Sequence, residues 1–450
     1  MPLFILDMID IKLIREKPEI VKNSQKARGM SAEEIDKIIK FDKEWRELKE
    51  EVDSLRAKRN KISQEINTLK KNGKNADSLL ETAREIPKLI EQKEKLMDEK
   101  KENRDLLLKE IPNIIDKSVP IGDVSKNKVL KEFGKMVKPK FKLKDHAEIL
   151  EALDLLDTEK ASEVAGSRFY YLKGDLVKLN WAIVNFALDY FKKKGFTLIQ
   201  PPYMLRKESL EGAITLGAFE EMIYKIDGED LYLIGTAEHA INAYHSNEVL
   251  SPNNLPIRYA GISPCFRKEA GSHGKDTKGI FRIHQFEKIE QFVFCKPEDS
   301  WKEFEIILKN SEELLKELEI PFRFVCLSSQ ETGRVPVKTI DFEGWFPNQG
   351  AYRELGSCSN CTDYQARRSN IKYQKGSETA FVHTLNNTAI PTERMIVCLV
   401  ENFQQEDGSI KIPKALWKYT GFKEIKAKKI EKGKKGEKPK KTKKKEIKKK

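Results

Sequence analysis

Between Ile38 and Leu69, apolar or long side chains recur at alternating intervals of three and four: Ile38, Phe41, Trp45, Leu48, Val52, Leu55, Arg59, Ile62, Ile66 and Leu69. That spacing is a coiled-coil seam. Ser31 followed by Glu34 reads as a capping box at its start. The stretch Lys71-Asn72-Gly73-Lys74-Asn75 breaks it, and a second seam runs through Leu79, Ala83, Ile86, Ile90, Lys93, Met97, Lys100, Arg104, Leu107 and Ile111. So short a turn requires the two helices to pack antiparallel. At 1.5 Å per residue the first seam is about 48 Å long, an arm reaching well beyond a domain. Pro87 predicts a kink or a local break in the second helix. Ahead of the arm, residues 7–28 form a small helical piece that Gly29 ends.

Past a Pro- and Gly-containing linker at 111–124, the pattern changes to alternating helices and short strands, with a second domain under way near Lys142. Leu176, Leu179, Ile183, Phe186, Ala187 and Tyr190 make one apolar helical face that stops at Gly195, and FTLIQPPYML follows as a strand. LYLIGTAEHA predicts another strand. Cys265 to Phe292, reading CFRKEAGSHGKDTKGIFRIHQFEKIEQF, predicts two strands joined by a long loop: apolar Ile283, Phe286, Ile289 and Phe292 carry the second strand, and Gly271, Gly274 and Gly279 with Lys275, Asp276 and Lys278 mark the turn. A helix from about Asp299 to Leu318 precedes strands in FRFVCL and TIDFEGWF, and FVHTLNNTAIPTERMIVCLVENFQQ reads as a strand entering a buried helix. The expected fold is α+β: a helical hairpin domain over 1–118, a mainly antiparallel sheet flanked by helices over 119–422, and a disordered Lys-rich tail over 423–450.

With 450 residues the chain can bury a sizeable core in two or three domains. No run of 18 apolar residues occurs, and acids interrupt the apolar start, so neither a membrane span nor a secretory signal is supported and a cytoplasmic location is expected. Six scattered cysteines look like reduced thiols. Net charge is +13, of which residues 423–450, with 16 lysines and 4 glutamates, hold +12. The body is nearly neutral, so any RNA contact there needs local patches. The tail reads as a polycation with sequence-independent attraction for phosphate, or as a solubilising extension.

The chemistry concentrates in the 265–292 hairpin. Arg267 and Arg282 are permanently cationic forks suited to phosphate oxygens, Glu269 and Glu290 suit an amine or a metal-bound nucleotide, and Phe286 offers a flat face to a base. A solvated hairpin whose charges do nothing is the alternative. Cys358-Ser-Asn-Cys361 has no second pair and no His at ligand spacing, so zinc is not expected. His239 and His245 read as structural.

F-R-x-E, a glycine-rich loop and H-Q-F-x-K-x-E together resemble motif 2 of the class II aminoacyl-tRNA synthetases, and in this full wording the seryl-tRNA synthetases. The helix and strand ending at Pro202 resemble motif 1, a dimer interface, and the segment ending in Arg394 resembles motif 3. The arm resembles the tRNA-binding helical hairpin of the same family. The resemblance implies a ligase that activates L-serine with ATP and passes it to the 3′-terminal adenosine of serine tRNA; selenocysteine tRNA as a second acceptor stays open. Carried onto this chain, it places Arg267 on the α-phosphate and the serine carboxylate, Glu269 at the adenine side, Phe286 stacked on adenine and the Ile283 backbone beside the nucleotide. Lys268, Leu355 and Gly356 join the nucleotide-binding set. Glu354 and Ser357 hold Mg²⁺, and Arg394 grips the γ-phosphate. Glu290 takes the serine ammonium, and Thr236, Ala237, Glu238, Asn386 and Thr388 line the amino-acid side. Arg267, Glu269 and Arg394 form the catalytic set, and a homodimer is implied. Two other readings stand beside this one: a synthetase-like ligase with a different carrier, and an inactive RNA-binding scaffold.

Overall fold

The computed structural model describes residues 9–136, 139–215, 222–269, 276 and 278–427. Asp7 and Met8 of the leading piece, Gly271, Gly274 and Lys275 of the hairpin loop, and residues 428–450 lie outside the described residues.

Two helices form the arm: α1 (Glu33–Lys71), of 39 residues, and α2 (Asp77–Glu110), of 34. Apolar side chains every three or four residues give each helix one stripe to bury, and Val52, Ile62 and Ile66 close on Ala76, Ile86 and Ile90. Each such isoleucine contributes about 1.5–3 kcal/mol. Ion pairs Arg56–Glu94 (2.7 Å), Lys100–Glu44 (3.1 Å) and Lys93–Glu51 lace the rims. Helix α2 runs as one segment through Pro87, whose missing N–H leaves a single gap in the ladder. The capping box is not formed. Ala32 already has helical dihedrals, so Ser31 lies one residue outside, and its hydroxyl accepts from Glu33 N (3.2 Å). The leading piece is two helices, Ile11–Glu16 and Pro18–Ala27, divided where Pro18 starts the second. Near the arm's root Asp42 is buried where the seam pattern puts Phe41, because it accepts from Arg15 (2.7 Å) and Arg104 (3.1 Å).

Eight strands make one sheet: β1 (Lys128–Phe133), β2 (Thr197–Ile199), β3 (Ile257–Phe266), β4 (Gln285–Cys295), β5 (Phe322–Cys326), β6 (Lys338–Phe346), β7 (Ala351–Thr362) and β8 (His383–Pro391). Their spatial order is β1–β5–β6–β7–β8–β4–β3–β2. Neighbours are antiparallel except β2 beside β3. The helices that cover it are α3 (Asp175–Lys193), α4 (Ala237–Tyr244), α5 (Ser300–Glu317), α6 (Tyr364–Arg368) and α7 (Thr392–Phe403). Helices α3, α5 and α7 bury one face in the main core with Ile289, Val293, Cys358 and Leu385. On the other face Ala237 and Ile241 of α4 and Ala366 of α6 pack on Phe292 and Phe294.

Strand β4 shows how sequence becomes a site. Its period is two, so Phe286, Lys288, Glu290 and Phe292 share a face while Ile289 turns to the opposite core. The apolar spacing of three that predicts this strand therefore crosses from one face to the other. The expected start of the tail at Lys423 also shifts. Glu424–Ile425 pairs with Ile410–Lys411, and Ile425 is buried, because an apolar side chain there closes the end of the main core.

Candidate active site

One cavity on the α4 face is lined by Thr236, Glu238, Arg267, Glu269, Ile283, Phe286, Glu290, Glu354, Leu355, Gly356, Ser357, Asn386, Thr388 and Arg394, drawn from segments up to 158 residues apart. Two of the residues expected here do not line it. Ala237 turns its methyl into the apolar cluster around Phe292, and Lys268 spends its backbone N–H on Met222 O (2.9 Å) outside the cavity.

The inner end is set by two carboxylates, Glu290 buried and Glu238 half-buried. Glu290 sits mid-strand between β3 and β8, paired across to Gly261 and Thr388, and its buried side chain faces the cavity. It accepts from Thr236 Oγ1 (3.1 Å) and Thr388 Oγ1 (3.4 Å) and forms an ion pair with buried Lys288. Thr236 is the N-cap of α4, its Oγ1 accepting from Glu238 N (3.3 Å). Glu238 Oε1 accepts from Gln365 Nε2 (2.7 Å) and Asn386 Nδ2 (2.9 Å). Burial above all, then the nearby Glu290 charge, lifts the Glu238 carboxyl to about 7. His239 is held neutral: burial, then the Arg267 and Lys288 charges, lowers it to about 3, and Gly235 N donates to its Nδ1 (3.4 Å).

The outer end is cationic and aromatic. Arg267 lies 5.2 Å from the Phe286 ring centroid, its plane fixed by a hydrogen bond from Nε to Gly235 O (3.2 Å). Glu269, with φ +48°, accepts from Arg282 (2.7 Å). Arg282, which also lines the cavity, faces Asp276 (3.6 Å) as well, so its charge is shared with two carboxylates. Arg394, opening α7, reaches Glu354 Oε1 (3.3 Å) and lies over Phe281 at 5.1 Å. The backbone at Gly356 must be bare, since a Cβ there would meet Phe342 at 2.4 Å.

Sequence reasoning missed several groups at the cavity, Lys288 and Phe281 in its lining and Asp341 paired with lining Ser357. Lys288 stands inside the H-Q-F-x-K-x-E wording, and its charge beside Glu290 was a usable signal. Phe281 and Asp341 gave none: Asp341 reaches the site only because β6 pairs it with Ser357. Its buried Oδ1 lacks a partner, and burial, then the Glu354 charge, raises the carboxyl to about 7. Cys358 and Cys361, three apart on β7, face opposite sides of the sheet, toward Phe304 O and Asn386 Nδ2, so they cannot close on one ion. Among the described residues no cluster of three or more His, Cys, Asp or Glu side chains holds a metal by itself.

Two family models match: the seryl-tRNA synthetase N-terminal domain over residues 8–115, and the tRNA synthetase class II core domain (G, H, P, S and T) over 221–403. The chain is 46% identical over 417 residues to the serine–tRNA ligase of Nitrosopumilus maritimus, covering 92% of this chain and 99% of the relative. A crystal structure of seryl-tRNA synthetase from Pyrococcus horikoshii complexed with ATP superposes with a TM-score of 0.90 at 48% identity, over 93% of this chain and 99% of the other. The cytoplasmic serine–tRNA ligase of Naegleria fowleri in complex with AMP gives 0.87 at 36% identity, over 94% and 99%.

Proposed function

The chain belongs to the seryl-tRNA synthetase family, ATP-dependent aminoacyl-tRNA ligases, and from that membership we propose that the cavity between β3, β4, β7 and β8 performs both steps of charging tRNA with serine. In the first step the serine carboxylate attacks the α-phosphorus of ATP in line and pyrophosphate leaves. The nucleophile arrives ionised, so no general base is needed. The work is to align two anions and neutralise charge at phosphorus. Arg267 takes the α-phosphate and the serine carboxylate, Arg394 the γ-phosphate, and Phe286 the adenine face. In the second step the 3′-hydroxyl of the terminal adenosine attacks the adenylate carbonyl and AMP leaves.

The observation that carries this reading is Glu290, a buried carboxylate already bridged to Thr236 and Thr388 in the cavity that Arg267 and Arg394 also enter. It is the place for an ammonium. Thr236, Glu238 and Thr388 would be left unpaired by alanine, a loss worth up to roughly 10⁴-fold in discrimination.

Glu354 and Ser357 would hold Mg²⁺ through hard oxygen donors, with the buried, unpartnered Oδ1 of Asp341 beside them, and the ion would supply positive charge to the phosphates. The arm holds the tRNA body, and exposed Val177 and Trp181 on α3 with Leu198 on β2 form a homodimer face. Among the described residues no helix is long and apolar enough to cross a membrane. A ligase with another carrier and an inactive scaffold are not favoured, since the relatives that match over nine-tenths of the chain are serine–tRNA ligases.

Serine-dependent exchange of pyrophosphate into ATP tests the site, run with serine, alanine, threonine, glycine and cysteine. Exchange with serine alone, reduced at least about 10²-fold by Glu290→Ala, is expected, since removing one member of a buried charge pair costs about 3–5 kcal/mol. Full exchange in the variant would refute the assignment.

A further inference from the structure

Helix α6 is short, yet its consecutive residues reach two different sites. Tyr364 is buried in the apolar cluster that forms the arm's root, with Ile14, Ile35, Ile38, Leu108 and Ile111, and its hydroxyl donates to Ile111 O (2.9 Å). Arg368, one turn on, donates to Lys109 O (3.4 Å) at the end of α2 and to Ile214 O (2.9 Å). Between them Gln365, fully buried, faces the amino-acid end of the cavity. Its Nε2 donates to Glu238 Oε1 (2.7 Å) and Ala213 O (3.3 Å), while its Oε1 accepts from Thr384 Oγ1 (2.7 Å). The Ala213 carbonyl, which can only accept, fixes which way the amide points and turns its N–H groups toward Glu238, while the Thr384 hydroxyl adapts as donor to Oε1. Neighbouring helical residues diverge by about 100°, so only the width of one helical turn separates the arm's root from the Glu238 carboxylate.

We propose that α6 joins the root of the arm to the amino-acid pocket, with Gln365 as the positioning residue for Glu238 and Tyr364 as the contact through which the arm bears on it. This rests on the reading of Glu238 as a serine-facing group. A displacement of α2 against the catalytic domain moves the Ile111 and Lys109 carbonyls. Both are tied to α6, and α6 carries Gln365. The charged or titratable groups around Glu238 are Glu290 and Lys288 on β4, Arg267 after β3, Cys361 on β7 and His239 on α4. The Gln365 amide favours the ionised carboxylate, opposing burial and Glu290.

The test uses the full-length enzyme with Gln365→Met, Gln365→Glu, Tyr364→Phe and Glu238→Gln, reading serine KM and its pH profile by pyrophosphate exchange without tRNA, then serine KM with tRNA present. Gln365→Met is expected to raise serine KM about tenfold or more, as loss of a hydrogen bond to a charged group does, to leave ATP KM unchanged, and to move the acidic limb of the profile to higher pH. Gln365→Glu moves that limb further, and it serves if the methionine variant does not fold. Tyr364→Phe keeps the wild-type serine KM without tRNA but reduces at least threefold, by rough expectation, the change in serine KM that tRNA produces. Normal serine KM and an unshifted profile in the Gln365 variants would overturn the positioning role. A wild-type serine KM indifferent to tRNA, or an equal response in Tyr364→Phe, would overturn the link. An unaltered Glu238→Gln enzyme would instead show that the reading of Glu238 had failed.

Discussion

Glu238 and Glu290 lie on neighbouring elements and are both carboxylates, yet the protein treats them differently. Glu290 has an ammonium partner in Lys288, whereas Glu238 has only amides. The difference predicts a pH dependence. On the proposal that Glu238 faces serine as a carboxylate, kcat/KM for serine should rise through about pH 7 and level off above it, and Glu238→Gln should flatten that rise. The stability sign is opposite. A carboxyl raised from 4.5 to about 7 takes up a proton on folding between those values, so its contribution to stability falls as pH rises across that window and stays low above it. Urea denaturation at pH 5 and pH 8, compared with Glu238→Gln, checks this. Most of these residues were legible because the motif wording names them. Lys268 and Ala237 were not excluded by it, since which face a side chain takes is set by neighbours such as Met222 and Phe292 that no local pattern records.

At the scale of elements, the arm follows its heptads closely, except where charge replaces apolar contact. Asp42 is held by Arg15 and Arg104 at the root, while Arg104 lies 4.8 Å from the Trp45 ring. Substituting Asp42→Asn removes the buried carboxylate shared by part-exposed Arg15 and by buried Arg104, which keeps Asp105, and should destabilise the arm by about 1–3 kcal/mol. Circular dichroism during urea titration reads this, and tRNA KM should rise while serine-dependent exchange without tRNA is kept. Pro87 removes one bond from the ladder without ending the helix, since a helix packed along its length on a partner tolerates one missing N–H. The two strands of the motif 2 hairpin were legible, but which of their side chains share a face depended on where the strand begins, at Gln285.

At the scale of the whole molecule, charge and apolar surface are segregated. Residues 428–450 carry 14 lysines and 3 glutamates beyond a nearly neutral body. Removing them should leave serine activation intact and weaken tRNA binding mainly at low salt, so a filter-binding series at several salt concentrations should show a shallower salt dependence in the truncated chain. Cutting at 428 and not at 423 keeps the Glu424–Ile425 strand. For the dimer face, Trp181→Glu on α3 should shift the sedimentation mass from dimer toward monomer with little loss of protomer stability, because that ring is 52% exposed in the protomer.

The sequence by itself determined the arm, the order of the domains, the neutral body with its basic tail, and most of the cavity's side chains, because heptad spacing and compact motifs are written within short windows. The tertiary structure alone decided that Asp341 faces Ser357, that Arg282 pairs with Glu269, and that Gln365 stands between the arm and Glu238. Those outcomes depend on strand register and on packing between residues more than a hundred positions apart in two of the strongest cases, Gln365 with Glu238 and Tyr364 with Ile111, and no periodicity along the chain encodes such meetings.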